Sequence, residues 1–248
     1  MNISVVINYC SIDKKFMPAL LNECLKFSDD IIISAFDKLF SNIPESPTEL
    51  QAFCDVAPDK IKVVVHKFTN DKHPRYFHNF ARWESIAHTK HDYIFFLDAD
   101  EIPEGDIFKY LLENNMLTDY DGIDFRCHWY FRTVRNQAIQ KEICGLIIKK
   151  SVITNELMFT DLERWSFRQA LGSKYLSDVT FEGQILMHHF SWVRSKDEML
   201  QKVDSWGHKF DKDWISLIHE EFSRPFNGTD FVHNYAYNIV EDRFKILR

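Results

Sequence analysis

Glycine is scarce in this chain of 248 residues: seven in all, at positions 105, 122, 145, 172, 183, 207 and 228. That is about 3%, against an average usage near 7%. None precedes residue 105, and no two lie closer than 11 positions apart. Two phosphate-binding devices are thereby excluded. The dinucleotide fingerprint G-x-G-x-x-G and the P-loop G-x-x-x-x-G-K-[ST] both pack glycines into one short turn, so that backbone N–H groups reach phosphate without a Cβ in the way. If the N-terminal half handles a nucleotide, something other than a glycine loop must neutralise its phosphates.

Other absences narrow the class further. The five cysteines, Cys10, Cys24, Cys54, Cys127 and Cys144, are odd in number and form no C-x-x-C pair, which suits reduced core positions better than a disulfide framework or a zinc knuckle. No 18-residue apolar stretch occurs, and the opening MNISVVINYCSIDKK lacks a basic region before its short apolar run. Neither a membrane span nor a signal peptide is expected, and the location expected is cytoplasmic. The net charge of −7 argues against binding along a phosphate backbone, so no nucleic-acid partner is expected.

What is present is apolar and aromatic. Hydrophobic residues make up 45% of the chain, with 22 phenylalanines, 9 tyrosines and 6 tryptophans. A chain of this length buries a large core without staples. Ile3 to Asn8 reads as a buried strand; Phe16, Leu20, Leu21, Cys24 and Leu25 then recur at helical spacing before a second apolar run at Ile31-Ile32-Ile33. Ile61 to His66 predicts a third strand, Phe77 to His88 a helix, and Asp92 to Leu97 a fourth strand. Continuous apolar strands separated by helices predict an α/β fold with a mostly parallel mixed sheet flanked by helices. Further along, the pattern predicts a short helix at 48–54, a helix over 104–117, strands at 123–129, 144–148 and 185–192, and a helix from a Ser195/Glu198 capping box to Phe210. Residues 1–194 form one expected domain, with halves at 1–104 and 105–194. Residues 195–248 form a C-terminal helical and aromatic extension packed on it.

The fourth strand runs directly into three carboxylates, Asp98, Asp100 and Glu101. In an extended backbone, residues two apart share a side, so Asp98 and Asp100 can converge on one hard divalent cation, with Ala99 leaving room between them. Mg²⁺ or Mn²⁺ accepts such an incomplete oxygen set and fills the rest of its shell with water and substrate phosphates. The competing reading is a strand end whose aspartates cap the helix that follows Pro103.

Asn79-Phe80-Ala81-Arg82, followed by His91-Asp92-Tyr93-Ile94-Phe95-Phe96-Leu97-Asp98-Ala99-Asp100-Glu101, resembles the N-x-A-R…G-D-Y-I-x-x-L-D-A-D-E block of family 2-like glycosyltransferases with the GT-A fold. Ser4 to Tyr9 resembles the opening strand of the same family, and the resemblance covers about residues 1–105. It implies a D-x-D motif that holds Mn²⁺ or Mg²⁺ on the diphosphate of a nucleotide sugar, most simply a UDP-sugar. Asp98 would lie near the ribose and the metal, Asp100 would ligate the ion, and Arg82 would reach the nucleotide. Tyr9 and Asp37 would stand at the base pocket, although Ser34-Ala35-Phe36-Asp37 replaces the family's usual D-D-G-S.

The same resemblance implies transfer of the sugar, with inversion, to a hydroxyl on a glycan, lipid or protein-linked acceptor, assisted by a carboxylate base. Glu163, with Asp161 in reserve, is the candidate base in Thr160-Asp161-Leu162-Glu163-Arg164-Trp165; the competing reading pairs Glu163 with Arg164 or Arg168 on a helix surface. In Met187-His188-His189-Phe190-Ser191-Trp192, neighbouring side chains face opposite sides, so one histidine at most turns to the site. His189 is the candidate third metal ligand. Arg75, in His73-Pro74-Arg75-Tyr76, is a candidate for a loop near the diphosphate, and Trp129, Tyr130, Trp165 and Trp192 are candidates for a sugar-stacking platform. Two rivals are a nucleotidyltransferase, which would need a glycine-bearing basic loop that Tyr9 to Lys15 does not offer, and a catalytically silent carbohydrate-binding or scaffold protein.

Overall fold

The computed structural model describes residues 1–246, apart from the side chain of Glu163. The first part of the chain alternates strands and helices: β1 (Ile3–Tyr9), α1 (Met17–Cys24), β2 (Ile31–Phe36), α2 (Pro47–Val56), β3 (Ile61–His66), α3 (Pro74–Ser85) and β4 (Tyr93–Asp98). Then come β5 (Glu101–Pro103), α4 (Gly105–Glu113), β6 (Gly122–Phe131), β7 (Thr133–Lys149), α5 (Asn155–Met158) and α6 (Ser166–Leu171). The chain continues with β8 (Tyr175–Phe181), β9 (Gln184–Ile185), β10 (Met187–Trp192), α7 (Lys196–Asp204), α8 (Trp214–Glu221) and β11 (Tyr237–Ile239). Among the described residues no helix is long and apolar enough to cross a membrane.

The fold is α/β, with a central mixed sheet of order β3-β2-β1-β4-β7-β6-β10-β5 flanked by helices. The first four strands are mutually parallel. β7 then runs antiparallel to both β4 and β6, β10 returns parallel to β6, and β5 closes the row antiparallel to β10. Side-chain alternation sorts β1 and β4 between two cores. Val5, Ile7, Phe95 and Leu97 pack under α1 and α4 with Leu20, Leu21, Phe108 and Leu112. Val6, Ile94 and Phe96 face the other way, onto Met158, Phe167, Trp83 and Ile86.

The structure departs from the sequence expectation where no apolar run marks an element. β7 is 17 residues long, and the sequence shows only its last third. Its first half alternates buried Val134, Asn136 and Ala138 with outward polar residues, a half-buried pattern without a continuous apolar stretch. β8 is half-buried throughout and was likewise not expected. α2 spans Pro47–Val56, longer than the expected 48–54, and α4 ends at Glu113 rather than at 117. The Ser195/Glu198 capping box forms as expected, but α7 stops at Asp204, six residues before Phe210.

One glycine is demanded by geometry. The β6–β7 register shifts between Asp124/Leu146 and Phe125/Cys144, leaving Gly145 as the extra residue of a bulge at φ +65°. A Cβ there would stand 2.8 Å from Cε2 of Phe95. At Gly183, also left-handed at φ +78°, a Cβ would meet nothing within 4 Å. Gly183→Ala is therefore expected to cost only the backbone term, about 1–2 kcal/mol. Gly145→Ala should cost clearly more, because the ring of Phe95 must also move; urea unfolding midpoints of the two variants would check this, and equal losses would contradict the packing described.

Candidate active site

A cavity of about 620 Å³ opens beyond the carboxyl ends of β1, β2 and β4, the edge at which open α/β sheets bind ligands. Its lining includes Tyr9, Phe36, Lys38 and Phe40, the indoles of Trp129, Trp165, Trp192, Trp206 and Trp214, and the charged groups Asp98, Asp100, Glu101, Arg164, His189 and Lys202.

The three carboxylates do not share one point. β4 ends at Asp98, and Ala99 and Asp100 form a turn before β5 starts at Glu101, so the alternation of an extended chain does not apply across them. Glu101 braces this turn: its Oε2 accepts the backbone N–H of Asp98 at 2.9 Å, while both of its oxygens receive the guanidinium of Arg164 at 2.7 Å. Asp98 continues the face of β4 that looks toward α3. There its Oδ1 accepts from Arg82 Nη2 at 2.7 Å and its Oδ2 from Arg164 Nη2 at 3.2 Å. Asp100 faces another group of cations. Its Oδ2 lies 3.3 Å from Lys202 Nζ and 3.8 Å from Arg194 Nη2, and its Oδ1 lies 3.5 Å from His189 Nε2.

Burial alone would push both aspartates toward protonation. For Asp98, Arg164 and Arg82 outweigh it; for Asp100, Lys202, His189 and Arg194 do, and both stay well below the usual carboxylate range. Burial likewise opposes charge on His189, but its hydrogen bonds to Asp100 and Cys127 and the charge of Asp100 hold it well above the ordinary histidine value.

The donor set can be tested against the expected Mn²⁺ or Mg²⁺. Among the described residues no group of three or more His, Cys, Asp or Glu side chains is arranged to hold a metal. Asp98, expected as a ligand, has both oxygens engaged by arginines. Asp100 Oδ1 and His189 Nε2 remain, 3.5 Å apart. Two neighbouring ligands of one octahedral ion, each about 2.1 Å from it, stand about 3 Å apart, and such ions accept one or two protein ligands completed by water and phosphates. The spacing fits that class of ion, and coordination would require His189 to give up the proton it shares with Asp100, since an imidazolium has no lone pair to offer.

The other expected site residues divide. Tyr9 lines the cavity, buried, with its hydroxyl donated to Glu49 at 3.1 Å. Asp37 does not figure among the lining residues described: its carboxylate accepts Phe68 N–H at 2.9 Å and ties the ends of β2 and β3, while Phe36 and Lys38 beside it line the cavity. Arg82 is 1% exposed and acts on the site only through Asp98. Arg75 is not in a loop, because His73 caps α3 and Pro74 begins it; Arg75 turns to Asp211 at 2.9 Å and His208 at 3.0 Å. Asp161 is exposed and lines the cavity. The side chain of Glu163 lies outside the described residues; of the two arginines considered for it, Arg164 is buried on Glu101 and Asp98 and Arg168 donates to Asp124 at 2.8 Å. Of the two histidines, His189 faces the site, whereas His188 points away to Tyr130 at 2.7 Å and Glu104 at 2.7 Å. Trp129, Trp165 and Trp192 line the cavity, joined by Trp206 and Trp214; Tyr130 is buried beside His188.

Sequence reasoning named Arg82 and His189 but missed Arg164, Arg194 and Lys202 as partners of the carboxylates. Lys202 had a signal: Met199, Lys202 and Val203 follow the helical stripe that α7 buries, which puts a lysine among core positions. Arg194 had none beyond its place after an apolar strand.

No protein-family model matches the chain, and no curated protein sequence matches it. Among solved structures it is similar to residues 1–349 of S. aureus TarS, at 15% identity over 90% of this chain and 73% of that one, with a TM-score of 0.49. It is also similar to the glycosyltransferase GlyE of Streptococcus pneumoniae TIGR4, at 13% identity over 90% and 64%, TM-score 0.44. HddC from Yersinia pseudotuberculosis aligns at 11% identity over 81% and 97%, TM-score 0.47.

Breaking one partner of a buried ion pair costs about 3–5 kcal/mol, because the other charge is left uncompensated. Arg164→Met is expected to lower stability by that order in urea unfolding, and adding Glu101→Gln should recover much of the loss. A double variant no more stable than Arg164→Met would contradict the brace.

Proposed function

We propose that the chain is a glycosyltransferase that moves a sugar from a nucleoside-diphosphate sugar to a hydroxyl acceptor. The observation that carries this reading is that Asp98 and Asp100 line a cavity at the carboxyl edge of the parallel strands, with the D-x-D block in its family 2-like surroundings. Trp129, Trp165, Trp192, Trp206 and Trp214 line the same cavity, and flat indole faces suit the C–H side of a sugar. A volume of about 620 Å³ is ample for a nucleotide sugar.

In this reading the nucleoside lies toward Tyr9, Phe36 and Lys38, its diphosphate toward Asp100, and the acceptor against Trp129, Trp192, Trp206 and Trp214. Arg82 and Arg164 fix Asp98 as an ionised hydrogen-bond acceptor on the ribose side. Asp100 and His189 would hold Mn²⁺ or Mg²⁺, which when bound supplies Lewis-acid stabilisation of the leaving diphosphate. The acceptor oxygen bonds to the anomeric carbon on the face opposite the departing diphosphate, with inversion. A carboxylate takes the hydroxyl proton, a role worth about 10²–10⁴ in rate. Asp161 is positioned on the cavity wall to serve, and Glu163, close by in sequence, is the second candidate. The glycine-free turn after β1 speaks against nucleotidyl transfer, since it offers no cradle of N–H groups for a triphosphate.

A panel of nucleoside diphosphates and nucleotide sugars, with Mn²⁺, should raise the melting temperature for at least one base, as ligand at 100 times Kd adds about 2.7 kcal/mol. Slow hydrolysis of the matching nucleotide sugar should accompany binding, and Asp100→Ala should remove the Mn²⁺-dependent part. No shift with any nucleotide would defeat this reading. Binding without hydrolysis or transfer would favour a silent binding protein.

A further inference from the structure

The turn after β1 is closed to phosphate for a second reason besides its lack of glycine. The backbone N–H of Ser11 is taken by Glu45 Oε1 at 2.9 Å, and Glu45 itself lines the cavity. A phosphate placed there would meet a carboxylate. The positive charge for a diphosphate has to come from side chains rather than from the backbone of this turn.

Most cations near the carboxylates are already spent. Arg82 is bonded to Asp98, and Arg164 spans Glu101 and Asp98 with both amino groups. Arg194 is fully enclosed, held by Asp13 and by the carbonyls of Ile12 and Ser191. Lys202 differs. Its ammonium has three N–H donors, and its one hydrogen bond among the described residues is to Asp100 Oδ2 at 3.3 Å. It lines the cavity, and its side chain is 10% exposed.

We propose that Lys202 is a diphosphate-binding residue: anchored on Asp100 Oδ2, it turns its remaining donors to the phosphate oxygens of the sugar donor and stays on them as the diphosphate leaves. This rests on the glycosyltransferase reading and adds to it a residue from the C-terminal extension. Asp100 then has two separate tasks, Oδ1 facing His189 and Oδ2 holding the lysine. A flexible stem and a compact charge suit an oxyanion that gains charge during the reaction. Lys38 and Lys212 also line the cavity; Lys38 and Lys202 each lie over a ring, Phe68 and Trp206, but of the three lysines Lys202 is the one bonded to a carboxylate of the D-x-D block, while Lys212 donates to Val232 O at 3.0 Å.

The test compares nucleoside mono- and diphosphates of uridine, guanosine, adenosine, cytidine and thymidine by calorimetric titration in Mn²⁺ buffer, on the full chain. For the base that binds, Lys202→Met should weaken the diphosphate by about tenfold to a hundredfold, the range of one charge-assisted hydrogen bond. The monophosphate should change by less than about threefold, because it lacks the group that this charge recognises. Lys202→Arg should keep most of the diphosphate affinity, and if Lys202→Met does not fold, Lys202→Gln against Lys202→Arg reads the same difference. Unchanged diphosphate binding in Lys202→Met or Lys202→Gln, or equal weakening of both ligands, would overturn the proposal while leaving the transferase reading in place. A wild-type chain that binds no nucleotide would overturn both.

Discussion

Three carboxylates in four residues at the end of a buried strand set the central constraint on this molecule. Left alone, they would repel one another and resist burial, so the surrounding fold has to bring cations to them. Those cations come from separate regions: Arg82 from α3, Arg164 from the turn before α6, His189 from β10, and Lys202 from α7. Arg82, Arg164 and Lys202 are buried and His189 is half-buried, and each meets an acid at the sheet edge. The site is where these elements are tied together.

The division of labour among the acids follows from the same constraint. Glu101, the third acid of the block, is the most enclosed and does structural work, fixing the turn that separates Asp98 from Asp100. Asp98 is held on both oxygens by arginines, which keeps it ionised and oriented as an acceptor. Asp100 alone faces a histidine and a lysine, whose hold is looser than a bidentate guanidinium. Chemistry that needs an exchangeable cation is thereby confined to one carboxylate of the three.

The parallel half of the sheet was legible because strands buried on both faces are written as unbroken apolar runs, as in Ile31-Ile32-Ile33 and Ile94-Phe95-Phe96-Leu97. β7 and β8 were not, since a half-buried strand spreads its apolar residues among polar ones. Asp98, Asp100, Arg82 and His189 stood out in the motif block and in the late His-x-Ser-Trp element. The pairing of Arg164 and Lys202 with the carboxylates did not, because contacts across 63 and 102 residues leave no pattern of their own in the sequence. Arg75 and Asp37 show the converse. Both lie next to motif residues in sequence, yet a helix cap turns one toward Asp211, and a neighbouring backbone N–H binds the other.

The partner of Asp100 on α7 lies 102 positions further along the chain. During synthesis, the parallel strands and the acidic turn are made well before residue 202. Until α7 docks, Asp100 lacks the lysine that is the largest offset to its burial, with His189 and Arg194 supplying the rest. Completion of the site and completion of the fold are then one event, and a chain stalled short of α7 is marked as unfinished by an under-neutralised, more readily hydrated corner of its own sheet.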